Sequence, residues 1–362
     1  MSVPRRLGIL TAGGDCPGLN AVIRAVVKSA VRSDPPIEVV GIRDGYAGLV
    51  LGKTRVLRDA DVSGILTRGG TILGSSNRDN PFRFIAKAGD KPVDRSKDAI
   101  ATFEREKLDG LICVGGDGTL RGALAFQKLG IPVIGVPKTI DNDLSGTDVT
   151  FGFDSAHTLA TYAVDRLHTT AESHHRVLIC EVMGRNAGWI ALYAGVAGGG
   201  DVILIPEIPY QLEKIAEHVK RREAQGKTFS IIVAAEGAAP QGGGRVASGK
   251  YKDAEQRERL GGVSHVVAQG IEKLTDYEAR VVILGHLQRG GTPTSLDRWL
   301  ATHYGAMALQ LAAQRKWGRM AALRGTTFTS VTIEEAVATS RRVDPQCAEV
   351  AAARGVGTSF GD

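Results

Sequence analysis

DGLICVGGDGTLRGALAFQKLGIPVIGVPKTIDND, residues 109–143, carries the pattern that decides the fold. Two short apolar runs within it, DGLICVGG (109–116) and IPVIGVP (131–137), read as buried strands. GTLRGALAFQKLG, between them, reads as a helix. Strand, glycine turn, helix and strand together make one unit of a parallel sheet covered on both faces. Each strand also leaves polar groups at its carboxyl end: Asp117 after the first, then Lys138, Thr139, Asp141, Asn142 and Asp143 after the second. In open parallel sheets that is the end where ligands bind, often on helix N-termini.

The same habit extends outward in both directions. RLGILTA (6–12) reads as a strand, GGDCPG as a turn, and NAVIRAVVKSAVR (20–32) as a helix with apolar residues at 22, 23, 26, 27 and 31. IEVVGI (37–42) is a second strand, followed by a loop-rich stretch holding RGGTILGSSNRDNPF (68–82). Further on, HRVLICEVMG (175–184) and DVILIPE (201–207) are strands, and NAGWIALYAGVA (186–197) is a helix. KTFSIIVAAEG (227–237) and EARVVILGHLQRGG (278–291) each end a strand on polar groups. The glycine-rich, charged insert at 239–262 is expected to be a mobile surface loop. The stretch from Thr292 to Gln314, with Pro293 near its start, reads as one long helix. No short solenoid-type repeat interrupts the pattern. The expected fold is α/β, with two doubly wound, mostly parallel sheet domains and an active site in the cleft between them.

Composition narrows the partners. The 362 residues are enough for two domains, and 46 glycines imply many tight turns and close backbone approaches. A net charge of +6, with its positives scattered and without basic arms, argues against nucleic acid and suits a small anionic ligand. Cys16, Cys113, Cys180 and Cys347 form no CxxC pair. That usage, with no signal peptide ahead of the first strand, leads us to expect a cytoplasmic protein. No apolar stretch approaches the roughly 20 residues needed to span a bilayer, so no membrane partner is expected.

Each constellation has a functional reading and a plain one. TAGGDCPGLN (11–20) could hold a phosphate on its backbone N–H groups or be only a tight strand-to-helix turn; it matches neither GxGxxG nor the P-loop. GGDGT (115–119) lets an anion approach the backbone and offers the Asp117 carboxylate to magnesium, where a plain reading makes Asp117 a helix cap. PKTIDND supplies what phosphoryl transfer asks of a protein: a base near an alcohol, an acid near metal, a cation near phosphate. The same residues could instead form an Asx-turn cluster. EVMGRNAGW places Arg185 at a strand-to-helix turn, VAAEG leaves Glu236 at a strand end, and LGHLQRGG leaves His286 and Arg289 at another. Arginine and histidine beside glycines suit recognition of a phosphate and a sugar hydroxyl, or ordinary surface ion pairs. Adjacent histidines in AESHHR (171–176) share no face and read as solvated, with Arg176 an anion-binding candidate.

Taken in order, TAGGDCPGLN, RGGTILGSS, GGDGT, VPKTIDND, EVMGRNAGW, VAAEG and LGHLQRGGTP resemble the 6-phosphofructokinases, over about residues 6–315. The resemblance implies phosphoryl transfer from ATP to the 1-hydroxyl of fructose 6-phosphate with Mg²⁺, the committed step of glycolysis. It makes Asp141 the general base, with Thr139 and Arg185 stabilising the transferring group. Asp117 would hold Mg²⁺, with Asp143 a second candidate for the metal that also lies on the acceptor side. Met183, Gly184, Glu236, His286 and Arg289 would line the sugar-phosphate pocket. Arg176 and Arg280 match positions that reach a neighbouring subunit's sugar site, so a homo-oligomer, as a tetramer, is expected. Gly14, Tyr46, Arg78, Gly118, Thr119, Gly122 and Lys138 match the donor side. The loop carrying Arg78, GSSNRDNPF, holds one residue more than the family's GSSR-type loop.

The resemblance also frames donor, effector and domains. Pyrophosphate users in the family typically pair aspartate at the position of Gly118 with lysine at that of Lys138. Gly118 with Lys138 resembles an ATP-dependent branch, and pyrophosphate with the same acceptor is the alternative. A non-catalytic, sugar-phosphate-sensing subunit would be expected to lack the base or the metal ligand, and both are present. Arg24 matches the family's effector site, but His168 and Gln225 stand where that site often has basic residues. The expected division is a larger nucleotide-binding domain, 1–152 plus 288–331, and a smaller sugar-phosphate domain, 153–287 plus 332–362.

Overall fold

The computed structural model describes residues 3–86, 90–250 and 258–362. Its first part runs β1 (Arg6–Thr11), α1 (Leu19–Val31), β2 (Glu38–Ile42), α2 (Tyr46–Leu51), β3 (Thr54–Leu57), α3 (Ser96–Arg105), β4 (Gly110–Gly115), α4 (Asp117–Lys128) and β5 (Val133–Pro137). A second run follows with α5 (Phe153–His174), β6 (Val177–Val182), α6 (Trp189–Ala197), β7 (Val202–Leu204), α7 (Leu212–Ala224) and β8 (Ser230–Ala235). Next come β9 (Ala247–Lys250), β10 (Glu258–Leu260), α8 (Val263–Leu274) and β11 (Ala279–Ile283). The chain closes with α9 (Ser295–Ala313), β12 (Arg319–Arg324), β13 (Thr327–Thr332), α10 (Ile333–Ala338) and α11 (Ala348–Gly355).

Two large sheets result. The first has seven strands in the order β13-β12-β5-β4-β1-β2-β3, the second four in the order β11-β6-β8-β7. Pairing is parallel except that β3 runs against β2 and β13 against β12. β4 and β5 are buried along their whole length, as continuous apolar runs require when helices cover both faces. Within the first sheet the chain moves from β1 to β2 on one side and later adds β4 and β5 on the other. The strand order therefore switches direction between β1 and β4, leaving a crevice beyond their carboxyl ends.

The helices behave as amphipathic covers. Val22, Ile23, Val26 and Val27 of α1 are fully buried, each contributing about 1.5–3 kcal/mol by leaving water. Val31, expected on the same stripe, is exposed at the last turn. α1 packs on α9, where Gly305 allows a close approach: a Cβ there would lie 2.8 Å from the Val22 carbonyl oxygen. Several elements differ from the sequence expectation. The insert at 239–262 holds a two-stranded antiparallel ribbon, β9 with β10, in place of an uninterrupted loop, and its residues 251–257 lie outside the described residues. The stretch after residue 315 adds β12 and β13 to the first sheet. Among the described residues no helix is long and apolar enough to cross a membrane.

Candidate active site

The first sheet gathers three predicted motifs by strand register alone. Thr11 lies beside Val114, and Gly115 beside Pro137. Backbone hydrogen bonds carry the alignment past the strands: Ala12 N–H donates to Val114 O at 3.0 Å and Lys138 N–H to Gly115 O at 3.1 Å. Gly13, with φ of +82°, donates to Ser76 O at 2.9 Å, and Ser75 Oγ donates to Gly13 O at 2.6 Å. The 71–78 loop is thereby pinned against the first glycine turn. Together they line a cleft of about 550 Å³ bounded by Gly14, Asp15, Ser76 and the exposed Arg78.

Beyond β4, Asp117 opens α4. Its carboxylate is held by Arg121 Nε at 2.8 and 3.0 Å, one helical turn on, and Arg121 Nη2 donates to Val337 O at 2.7 Å. Gly118 is exposed and a Cβ there would meet nothing within 4 Å. Neither packing nor a positive φ asks for glycine at this position. Tyr46 sits differently from a ligand contact: it is buried, its hydroxyl donates to Thr119 O at 2.7 Å, and a Cβ on Gly122 would lie 2.9 Å from its ring. Tyr46 therefore packs against the first turns of α4 at Thr119 and Gly122. Lys138 is also buried, and its ammonium donates to the Gly14 carbonyl under the first glycine turn. Burial pulls the Lys138 pKa down.

The turn after β5 is built by its own short side chains. Asn142 adopts φ of +51°, a region asparagine tolerates better than most residues. Its Oδ1 accepts from Thr150 N–H at 2.9 Å, and Thr150 Oγ1 donates to Thr139 O at 2.8 Å. Asp141 N–H donates to Thr139 Oγ1 at 3.1 Å. Asn142 thus secures the turn while Asp141 is left to project. Asp141 Oδ1 is buried without a hydrogen-bond partner among the described residues, an arrangement that costs free energy until a donor arrives. Burial raises the Asp141 pKa, opposed by the charges of Arg289, Lys138 and Arg185. Asp143 is pushed up to about 7 by burial and by the neighbouring Asp141 charge.

The second sheet presents its own carboxyl ends to this turn. Glu236 N–H donates to Val182 O at 2.9 Å, Gly237 N–H to Gly184 O at 3.1 Å, and Leu284 N–H to Glu181 O at 3.0 Å. These bonds bring Met183, Gly184, Arg185, Glu236 and the turn 285–289 together. Burial raises the Glu236 pKa, with the Arg185 charge opposing it. The Arg185 guanidinium donates to the Glu258 carbonyl at the start of β10. Gln288, buried and without a sequence signal, accepts from Met183 N–H at 3.3 Å, and His286, two residues earlier, is exposed. Arg289 crosses to the first sheet, where Nη1 donates to Asp15 O at 3.1 Å.

Arg176 and Arg280 stand apart. Both pair with Glu278 at the starting ends of β6 and β11. Seven residues of near-extended chain separate Arg176 from Met183, about 23 Å, so neither arginine reaches this chain's own site. His174 and His175 are exposed at the end of α5, and among the described residues no three His, Cys, Asp or Glu side chains cluster as a metal centre. Arg121 was legible as the residue four after Asp117, the spacing of a helical ion pair. Gln288 gave no such signal.

Comparison with known proteins agrees with this architecture. Residues 6–312 match the family model described as phosphofructokinase. The chain is 55% identical to "ATP-dependent 6-phosphofructokinase" of Chloroflexus aurantiacus, covering 100% of this chain and 99% of that one. It is 50% identical to "Pyrophosphate--fructose 6-phosphate 1-phosphotransferase" of Amycolatopsis methanolica, covering 94% and 97%. The phosphofructokinase structure from Saccharomyces cerevisiae superimposes with a TM-score of 0.78 at 30% identity, over 92% of this chain; the chain spans 45% of that longer one. With two mostly parallel sheets meeting at their carboxyl ends and a family match over most of its length, the chain belongs to the phosphofructokinase family.

Proposed function

We propose that this phosphofructokinase transfers the γ-phosphoryl group of ATP to the 1-hydroxyl of fructose 6-phosphate, giving fructose 1,6-bisphosphate and ADP. The observation that carries the reading is Asp141 Oδ1, buried and without a partner among the described residues, where the two sheets' polar ends meet. In its ionised form it accepts the proton of the sugar hydroxyl as that oxygen attacks the phosphorus, a role worth about 10²–10⁴-fold in rate. Arg185 and Thr139 stabilise charge on the transferring group. Glu236, Met183, Gly184, His286 and Arg289 hold the sugar phosphate. Gly14, Gly118, Thr119 and Arg78 border the donor, and Lys138 holds the Gly14 turn from beneath.

Mg²⁺ fits the acids present. The Asp117 carboxylate already holds one cation, the Arg121 guanidinium, and Mg²⁺ needs only one or two carboxylates beside water and phosphate oxygens. Asp117 is its ligand in this reading, with Asp143 nearby; when bound the ion neutralises phosphate charge. Arg176 and Arg280 serve a neighbouring copy's sugar site in a homotetramer, and the enzyme works in the cytoplasm at the committed step of glycolysis. Residues 1–152 plus 288–331 form the nucleotide domain, and 153–287 plus 332–362 the sugar-phosphate domain.

Substituting Asp141→Ser tests the base directly. Turnover is expected to vanish while fructose 6-phosphate binding, followed calorimetrically, stays within a few-fold; retained turnover overturns the assignment. Pyrophosphate is the second reading, favoured by relatives named for that donor. The open space at Gly118 supports ATP, because a larger donor needs it.

A further inference from the structure

Arg341 belongs to none of the sequence motifs, yet it touches both halves of the site. Its backbone N–H donates to Asp143 O at 2.9 Å, and its Nη1 donates to Asn142 O at 3.4 Å. On its other side the guanidinium carbon lies 4.4 Å from the centroid of the Trp189 ring. The Arg341 carbonyl accepts from Trp189 Nε1 at 3.1 Å. Trp189 opens α6, directly after the turn that carries Arg185.

The residues around Arg341 extend the connection. Ser340 forms an isolated antiparallel bridge with Leu144, and Ser145 Oγ donates to Thr339 O at 2.8 Å. Val343 N–H donates to Glu207 Oε1 at 2.9 Å, and the same carboxylate accepts from Gly188 N–H at 3.0 Å. Residues 339–343 are therefore a strap, fastened at one end to the turn bearing Asp141 and at the other to the first turn of α6. A lone arginine on an exposed aromatic ring would be an ordinary surface contact. Here Trp189 is buried, and one residue makes four contacts divided between two turns.

We propose that Arg341 is a positioning residue, holding the 139–143 turn in register with the 183–189 turn so that the base meets the acceptor hydroxyl. The proposal rests on Asp141 as the base, and it concerns the coupling of two turns rather than contact with substrate. Asn142 holds a backbone conformation that non-glycine residues rarely adopt, and its carbonyl is the one Arg341 grips. Thr150 secures that residue from inside, and Arg341 secures it from outside. Displacement of a reacting group by about 1 Å can cost on the order of 100-fold in rate.

The test compares full-length wild type with Arg341→Ala and Arg341→Lys by hydrogen–deuterium exchange and by steady-state kinetics. In Arg341→Ala, exchange across 138–150 is expected to quicken about tenfold, while α1 and α9 keep wild-type protection. Its kcat is expected to fall about tenfold, with the KM for fructose 6-phosphate within about twofold. Arg341→Lys keeps a cation over Trp189 and is expected to recover part of both effects. Unchanged exchange across 138–150, or a kcat loss matched by a loss of folded protein, overturns the proposal. A wild type that turns over fructose 6-phosphate with neither donor fails the functional reading instead, and the exchange measurement still decides the strap.

Discussion

Arg289 and Gly14 come from opposite sheets and occupy one another's space: a Cβ on Gly14 would lie 2.7 Å from Arg289 Nη1. The glycine turn after β1 thus leaves room for an arginine from beyond β11. Gly14→Ala is expected to displace Arg289 and raise the KM for fructose 6-phosphate by about tenfold. Arg289→Ala removes a charged hydrogen-bond donor worth about 1.5–3 kcal/mol, or roughly 10–150-fold in acceptor affinity. Steady-state kinetics on the two variants check both; unchanged acceptor KM in each would place Arg289 outside the sugar pocket.

Protonation gives a second expectation. Asp141 and Asp143 both have raised pKa values in the folded chain, Asp143 to about 7. The unfolded chain releases such protons near pH 3.9, so above that pH the native state holds the extra proton. Stability contributed by Asp143 is accordingly full below about pH 3.9 and is lost as pH rises toward 7. Asp143→Asn removes that dependence, and its melting temperature relative to wild type should rise between pH 5 and pH 8. As the proposed base, Asp141 must by contrast be ionised. The acid limb of kcat/KM is expected above the ordinary aspartate range, and a limb near pH 4 would contradict the burial of Asp141.

Helix packing supplies a prediction whose sign departs from propensity. Glycine to alanine inside a helix normally gains about 1 kcal/mol. In Gly305→Ala the added methyl would crowd the Val22 carbonyl and Ala25 at the α1–α9 crossing. Overpacking of this kind costs about 1–3 kcal/mol. Urea unfolding should show a lower midpoint at unchanged slope.

Much of the fold was legible because buried parallel strands announce themselves as continuous apolar runs, as in DGLICVGG and IPVIGVP. The polar residues at their ends lie in short contiguous stretches, so the base turn and the glycine turns could be read as units. β13 escaped notice because TFTSVT is mostly half-exposed and carries no apolar run, and β12 pairs with β5 through only two residues. Tyr46 illustrates another limit: its place in the motif order says nothing of whether its ring meets ligand or packs under Gly122. Arg341 lies some 200 residues from the turn it holds, and no local pattern encodes that contact.

In the proposed function, donor choice turns on Gly118. A Cβ at Gly118 meets nothing within 4 Å, so the Gly118→Asp variant should fold, as its melting curve will check. Its carboxylate would fill and charge the space beside the donor. The ATP-supported rate is expected to fall at least tenfold, and full ATP activity in a folded variant would remove the steric argument.

The central claim is that this chain phosphorylates fructose 6-phosphate from ATP. Initial rates of fructose 1,6-bisphosphate formation, with ATP or pyrophosphate at equal concentration and Mg²⁺ present, test it most directly. Turnover is expected to be faster with ATP. Faster turnover with pyrophosphate, or none with either donor, would contradict it.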